Sequence, residues 1–302
     1  LLGCGLLAPG CKVIESTADT LADATAGTAV SDVLRGTARA AESMRPYSPA
    51  EEHYIGRAVA AEILSRYKVH PDNSLQHYVN LVGLSVLAAP QAGKTLSGYH
   101  FIVIEGKELQ AVSAPAGFVF LTEGTVRRAK DEDELASVLA HEVAHVTLKH
   151  GIGSIKAATR QQSLVLIASG AGKVAQQSAG DAQTAQALGE LTAVFDQVIS
   201  EITENLLVKG YSRDTEIEAD KLAVEILKSS GYSRAGLVNY LSDLQGEGGQ
   251  GGWAATHPSP NDRIEEIVEN AGAQNAAAFA AQGVAPGRDV RRTRFAKAMA
   301  GG

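Results

Sequence analysis

Glu134-Leu135-Ala136-Ser137-Val138-Leu139-Ala140-His141-Glu142-Val143-Ala144-His145 is the stretch on which the reading of this sequence turns. Leu135, Val138, Leu139, Val143 and Val146 put apolar groups almost all round a helix, which marks it as buried in the middle of a domain. Asp131, with Glu134 three residues on, reads as its N-terminal cap, and Gly151 reads as its stop. Two histidines and a glutamate interrupt this apolar helix. His141 and His145 stand at i and i+4, so they share one face and both imidazoles reach a common point. Polar groups in such a helix are costly to bury without partners. A metal ion supplies one, and zinc accepts imidazole nitrogens at about 2.0–2.1 Å. In H-E-x-x-H on a helix the histidines are ligands and the glutamate, here Glu142, acts on a water as general base. The alternative is a chance match of two core or surface histidines.

Outward from this helix, the pattern changes period. Phe101–Ile104, Leu109–Ala114 and Phe118–Leu121 are short β-rich runs punctuated by Gly106 and Pro115. They are expected to form a small antiparallel sheet beside the histidine helix. Upstream, Ser48-Pro49-Ala50-Glu51 is a capping box with proline in the first turn, so a helix starts there. A second helix is expected from about Asn73 through Leu87. Downstream, residues 155–207 read as broken helices, and further helices are expected over Arg213–Lys228 and Ala235–Leu244 and from Pro260. A glycine-rich loop, Gly246–Gly252, precedes the last of these. The fold class is therefore α+β and predominantly helical. Residues 1–47 read as a tether, 48–272 as the folded domain, and 273–302 as an Ala-, Gly- and Arg-rich tail.

Composition limits the function classes. The chain has 302 residues with 45% hydrophobic, 20% charged and 5% aromatic content, an ordinary globular balance. Its formal net charge of -7 argues against nucleic acid as a partner, because such proteins present a basic surface. No stretch approaches the roughly 20 apolar residues that span a bilayer. The best candidate, Leu164–Ala171, is short and reads as a buried helix. Leu1-Leu2-Gly3-Cys4 resembles the end of a bacterial lipoprotein signal, with Cys4 as the lipidated residue, which places the protein in the periplasm with a lipid as its sole membrane attachment. Cys4 as an incidental cysteine is the alternative. With Cys11 it makes neither a disulfide framework nor a zinc site.

A catalytic zinc needs a third protein ligand. The metzincin pattern would require glycine at 148 and histidine at 151, and the chain has Leu148 and Gly151. His150, five residues after His145, is read as a helix-end histidine. Farther on, Glu216 and Asp220 lie one turn apart on a helix. One of them can ligate the metal while the other holds a ligand histidine. Glu218 lies off that face and is read as an exposed carboxylate.

Together, H-E-x-x-H and the later Glu216-Ile217-Glu218-Ala219-Asp220 resemble the CAAX-prenyl-protease and HtpX-like family of gluzincin zinc peptidases. Glu134–Ala140, Ser48-Pro49 through Gly56, and Tyr78-Val79-Asn80 through Gly83 agree with it, the last two resembling its soluble periplasmic members. Thr256-His257-Pro258 with Arg263 resembles a further family motif, so the likeness covers about Pro49 to Glu269. It implies a gluzincin domain with one zinc per chain, held by His141, His145 and Glu216, with Asp220 behind them. His257 would be a transition-state donor or an occluding ligand, unless it is a simple loop histidine. Arg263 would orient His257 or the substrate, or form a surface ion pair. Gln110, Ala111, Val112, Ser113 and Ala114 resemble the edge strand that pairs with an extended peptide. Many relatives have Asn-Ala-Phe and Pro-Gly-Gly where this chain has Gln110-Ala111-Val112 and Pro115-Ala116-Gly117. The implied activity is hydrolysis of peptide bonds in unfolded or flexible proteins, in envelope quality control. A chaperone or assembly factor with minor proteolysis is the alternative.

Overall fold

The computed structural model describes residues 46–154, 199–245, 256–257, 260–282 and 285–300. The expectations for residues 1–45, the broken helices of 155–198 and the glycine loop after Gln245 lie outside the described residues. So does Cys4. Residues 48–152 and 199–302 belong to one compact unit.

In chain order the described elements of this unit are α1 (Pro49–Arg66), α2 (Asn73–Val86), β1 (His100–Ile104), β2 (Ala111–Ala114), β3 (Phe118–Thr122), α3 (Glu123–Arg128) and α4 (Glu132–Thr147). They continue with α5 (Arg213–Ser230), α6 (Ala235–Gln245), α7 (Pro260–Asn270), α8 (Ala276–Gln282) and α9 (Arg288–Met299). The chain's local signals act as expected at several ends. The Ser48 hydroxyl accepts from the Glu51 amide at 3.3 Å while the Glu51 carboxylate accepts from the Ser48 amide at 2.8 Å. Asp131 caps α4 through the Glu134 amide, 3.1 Å. Gly231 closes α5 in the left-handed region at φ 80°, which glycine adopts without steric cost.

At the centre lies α4. Every residue from Glu132 to His145 is buried, and α5, α6, α2, β2 and α9 pack round it. This is why its sequence is apolar almost all round. The helix ends at Thr147, one turn before the expected stop at Gly151. Lys149, at φ 59°, turns the chain there.

The three β-rich runs do form a small sheet, but not an antiparallel one throughout. Its order is β1-β3-β2, with β2 antiparallel to β3 and β1 parallel to it. Short connections favour hairpins between successive strands. Instead β3 inserts between β1 and β2, so those two run in opposite directions without pairing. That arrangement leaves β2 as an edge strand. The expectation of a tail after residue 272 is corrected as well. Phe279 of α8 and Phe295 of α9 belong to the same hydrophobic core as α4. Arg291 binds Asp133, and Arg294 binds Glu132, at the start of α4. Two arginines of the apparent tail are thus counter-ions for two buried acids.

Candidate metal centre

Four side chains from three parts of the chain converge beside α4. His141 and His145 come from α4, Glu216 from the first turn of α5, and His257 from the segment before α7. One ligand atom from each lies within 4.8 Å of the others, and all four residues are buried. The Nε2 atoms of His141 and His145 are 3.0 Å apart. His257 Nδ1 is 3.2 Å from His141 Nε2 and 2.9 Å from a Glu216 oxygen. Glu216 oxygens stand 3.4 Å from the Nε2 of each α4 histidine.

These separations test whether a metal fits. A tetrahedron with arms of about 2.0–2.1 Å has edges of about 3.3–3.4 Å, and the donor atoms stand 2.9–3.4 Å apart. Three imidazole nitrogens and a carboxylate facing one point present lone pairs to each other. A cation at that point turns the repulsion into attraction. Three histidines and a carboxylate are a donor set that zinc accepts.

Behind the donors sits a layer that fixes their orientation. Asp220 Oδ1 lies 2.9 Å from His141 Nδ1, so the imidazole donates there and turns its other nitrogen inward, as metal-ligating histidines commonly do. Arg263 is fully buried and grips Asp220 with two bonds, 2.7 Å from Nε and 2.6 Å from Nη2. Its Nη1 is 3.1 Å from Glu216. The surface ion pair considered for Arg263 is therefore excluded. Burial pushes the Glu216 carboxyl up, but the His257 and Arg263 charges outweigh it and hold the group well below the usual range. Burial, more than any neighbour, pushes His145 well below its ordinary value. For His141, burial and Arg263 push down while bonds to Asp220 and Glu216 raise it to about 9.

Two contributors were missed by reading along the chain. His150 places its Nδ1 2.9 Å from His145 Nδ1, with the exposed Glu218 3.4 Å from its other nitrogen. Because α4 ends at Thr147 and the chain turns at Lys149, His150 lies off the continuation of that helix. Tyr211 stacks on His145, centroids 4.3 Å apart at 15°, and burial, then Glu142 and Glu216, keep its hydroxyl protonated. An aromatic residue just before the Ser212 cap of the α5 helix was the available signal.

Glu142 is buried, and neither carboxylate oxygen has a hydrogen-bond partner among the described residues. His257 Nε2 is 3.5 Å from its Oε1. A buried carboxylate left without hydrogen-bond donors costs free energy. The segment bearing His257 is seated by a close approach. Gly210, at φ 66°, lies so near Thr256 that a Cβ would fall 1.9 Å from its carbonyl oxygen. As to the strand, Ala111, Val112, Ser113 and Ala114 form β2, which pairs with β3 on one side only. Gln110 precedes it and is tied up, with its side chain bonded to Leu207 and Tyr67 and its backbone to Thr122.

A family model described as Peptidase family M48 matches residues 73–271. The chain is 26% identical over 225 residues to the putative beta-barrel assembly-enhancing protease of Vibrio cholerae, which covers 73% of this chain and 44% of that protein. Identity to the metalloprotease YcaL of Escherichia coli is 28% over 183 residues, 59% of this chain and 65% of YcaL. Identity to the metalloprotease LoiP of Escherichia coli is 24% over 236 residues, 75% of this chain and 84% of LoiP. The chain spans less than half the length of the assembly-enhancing proteases that it matches.

Proposed function

Because this chain belongs to peptidase family M48, we propose that it is a zinc-dependent endopeptidase that hydrolyses peptide bonds in unfolded or flexible proteins of the bacterial cell envelope. The observation that carries the proposal is the convergence of His141, His145 and Glu216 donors on one buried point, with the buried Glu142 carboxylate, which has no hydrogen-bond partner among the described residues, on the same helix. His141, His145 and Glu216 would hold one zinc per chain. Bound there, zinc supplies Lewis-acid polarisation of the scissile carbonyl and a lowered pKa for water. Glu142 takes the proton of the attacking water and delivers it to the leaving amine. Asp220 and Arg263 keep His141 and Glu216 in register, and His150 and Tyr211 hold the His145 ring. An extended substrate pairs with β2, over Ala111–Ala114, which favours chains without folded structure. The closed backbone of Gln110 makes it the anchor of this strand.

His257 completes the donor set in this structure, and we read the arrangement as a resting, closed one. Displaced from the set, the same imidazole becomes a donor for the developing oxyanion. The finer placement in the CAAX-prenyl-protease and HtpX-like branch rests on the motif pair around Glu142 and Glu216 with the His257 and Arg263 motif. A periplasmic location with a lipid on Cys4 rests on the Leu1–Cys4 pattern, and no described helix is long and apolar enough to cross a membrane.

A second reading is an assembly factor with minor proteolysis, favoured by relatives named for β-barrel assembly. One experiment separates the two. Purified protein is assayed for zinc and for casein cleavage beside Glu142→Gln. The peptidase reading expects about one zinc in both proteins and cleavage in the native chain alone. Equal cleavage by the variant would defeat it. Equal support of envelope assembly by both would move the main role to the second reading.

A further inference from the structure

Residues Asn205–Lys209 wind as a single π turn, closed by the bond from the Gly210 amide to the Asn205 carbonyl at 2.8 Å. Such turns are rare and gather at functional sites. The carbonyls in the last turn of a helix have no onward partner within it, and Leu207, in this turn, is buried. Gln110 supplies a donor. Its Nε2 donates to the Leu207 carbonyl at 3.0 Å, while its Oε1 accepts from the Tyr67 hydroxyl at 3.0 Å. The Gln110 backbone is itself held by Thr122 and by the Thr125 hydroxyl, so the side chain grips the π turn from a fixed point at the head of β2. The far end of the same turn meets the segment that bears His257. Gly210 stands at φ 66° and ψ -163°, a conformation essentially confined to glycine, and its bare Cα lies against the Thr256 carbonyl. The Tyr211 amide donates to that same carbonyl at 3.2 Å. The next residue, His257, has its Nδ1 2.9 Å from Glu216. A continuous set of contacts therefore runs from the head of the edge strand, through the π turn, to the fourth residue of the donor set.

We propose that Gln110 is a positioning residue for His257. Its side-chain amide seats the π turn, the π turn seats Thr256, and His257 is thereby held among the donors. The proposal rests on the reading of His257 as the resting occupant of the donor set, and it makes the edge strand and that imidazole one coupled unit. Glutamine suits the position because Leu207 needs a donor and Tyr67 needs an acceptor, and one side-chain amide offers both. An apolar side chain of the same size would leave the Leu207 carbonyl buried without that donor, which costs free energy. Lifting the π turn toward water relieves the cost, and lifting it carries Thr256 and His257 away from the donor set. Coupling of this kind needs an element with two arrangements; here they are His257 among the donors and His257 displaced. By linkage, whatever biases the π turn biases His257, and the reverse holds equally.

The test compares the native full chain with Gln110→Met, Tyr67→Phe, His257→Ala and Gln110→Met/His257→Ala. Methionine keeps the length and burial of the side chain and loses both of its bonds, whereas Tyr67→Phe loses only the bond that does not reach the π turn. Amide hydrogen exchange, followed by mass spectrometry, is read over residues 206–212, which include the Gly210 and Tyr211 amides. Gln110→Met should speed exchange there by about fivefold, the worth of one net hydrogen bond, with α4 unchanged, and Tyr67→Phe should stay near the native rate. Basal cleavage of casein should rise about fivefold in Gln110→Met and stay near native in Tyr67→Phe. In the His257→Ala background Gln110→Met should bring no further gain, because the residue that it positions is gone. Gln110→Asn keeps the amide but is one methylene shorter, and it gives the same pattern if the methionine variant does not fold. Unchanged exchange in both Gln110 variants, an equal effect of Tyr67→Phe, a fall in cleavage, or a gain that persists in the double variant would each overturn the proposal. If neither the native chain nor His257→Ala cuts casein with zinc bound, the peptidase reading fails, and the exchange rates alone decide whether Gln110 positions this segment.

Discussion

Arg263→Met is the substitution whose consequence the structure defines most closely. Arg263 is completely buried, donates twice to Asp220 at 2.6–2.7 Å, and stands 3.1 Å from Glu216. Methionine keeps most of the apolar stem but leaves Asp220 facing only the His141 Nδ1 at 2.9 Å. Breaking one side of a buried ion pair costs about 3–5 kcal/mol, because the remaining charge stays desolvated. His141 still donates to Asp220, so the lower end, about 3 kcal/mol, is expected. The pH dependence follows from Asp220. Burial raises its carboxyl, but the Arg263 charge and bonds hold it below the ordinary value of 3.8. A group depressed in the folded state stabilises above its unfolded value and loses that contribution as pH falls through the folded one. The deficit of Arg263→Met is therefore full near neutral pH and closes as pH drops below about 3.8. The assay is urea unfolding of metal-free protein followed by circular dichroism at several pH values. The double variant Asp220→Asn/Arg263→Met removes both charges and should recover about 2 kcal/mol relative to the single one, since replacing a whole buried pair is often near neutral. A single-variant loss under about 1 kcal/mol, or a double variant no more stable than the single, would refute the account of Arg263 as a buried counter-ion.

Three further outcomes are expected. Glu216→Ala should lose most of its zinc on dialysis, and full metal retention would remove it from the ligand set. His257→Ala should keep the metal and raise basal cleavage of an unstructured substrate; a large fall in kcat with metal retained would instead make it mainly an oxyanion donor. Glu134 is pushed up to about 7, first by burial, so the folded state binds an extra proton between the ordinary 4.5 and 7 and stability falls as pH rises across that window. Glu134→Gln, which can still accept from the Lys130 amide, should gain in melting temperature over the native chain from about pH 5 to about pH 8, and a constant gap would count against the raised carboxyl.

The sequence by itself determined the parts of this protein that are local. Histidines at i and i+4 share a face by helix geometry alone, so His141 and His145 were legible with Glu142 between them. An all-round apolar pattern marked α4 as the central helix, and cap residues such as Ser48 and Asp131 set where helices begin. Glu216 and Asp220 were legible as a pair one turn apart, and a family likeness was needed to assign which faces the metal. Tertiary structure decided everything that depends on elements meeting. Strand order was one such matter, because β3 pairs with both neighbours and no local signal distinguishes a parallel from an antiparallel partner. Arg263 is indistinguishable in sequence from a surface arginine; only the packing of α7 on α5 sinks it between Asp220 and Glu216. Arg291 and Arg294 read as part of a tail until α9 folds back onto buried Asp133 and Glu132. His150 and Tyr211 reach His145 because a left-handed turn at Lys149 ends α4 early and the turn into α5 brings an aromatic ring alongside. Charge partners and stacking partners are contributed by residues far apart in the chain, and only the packed core brings them within reach of one another.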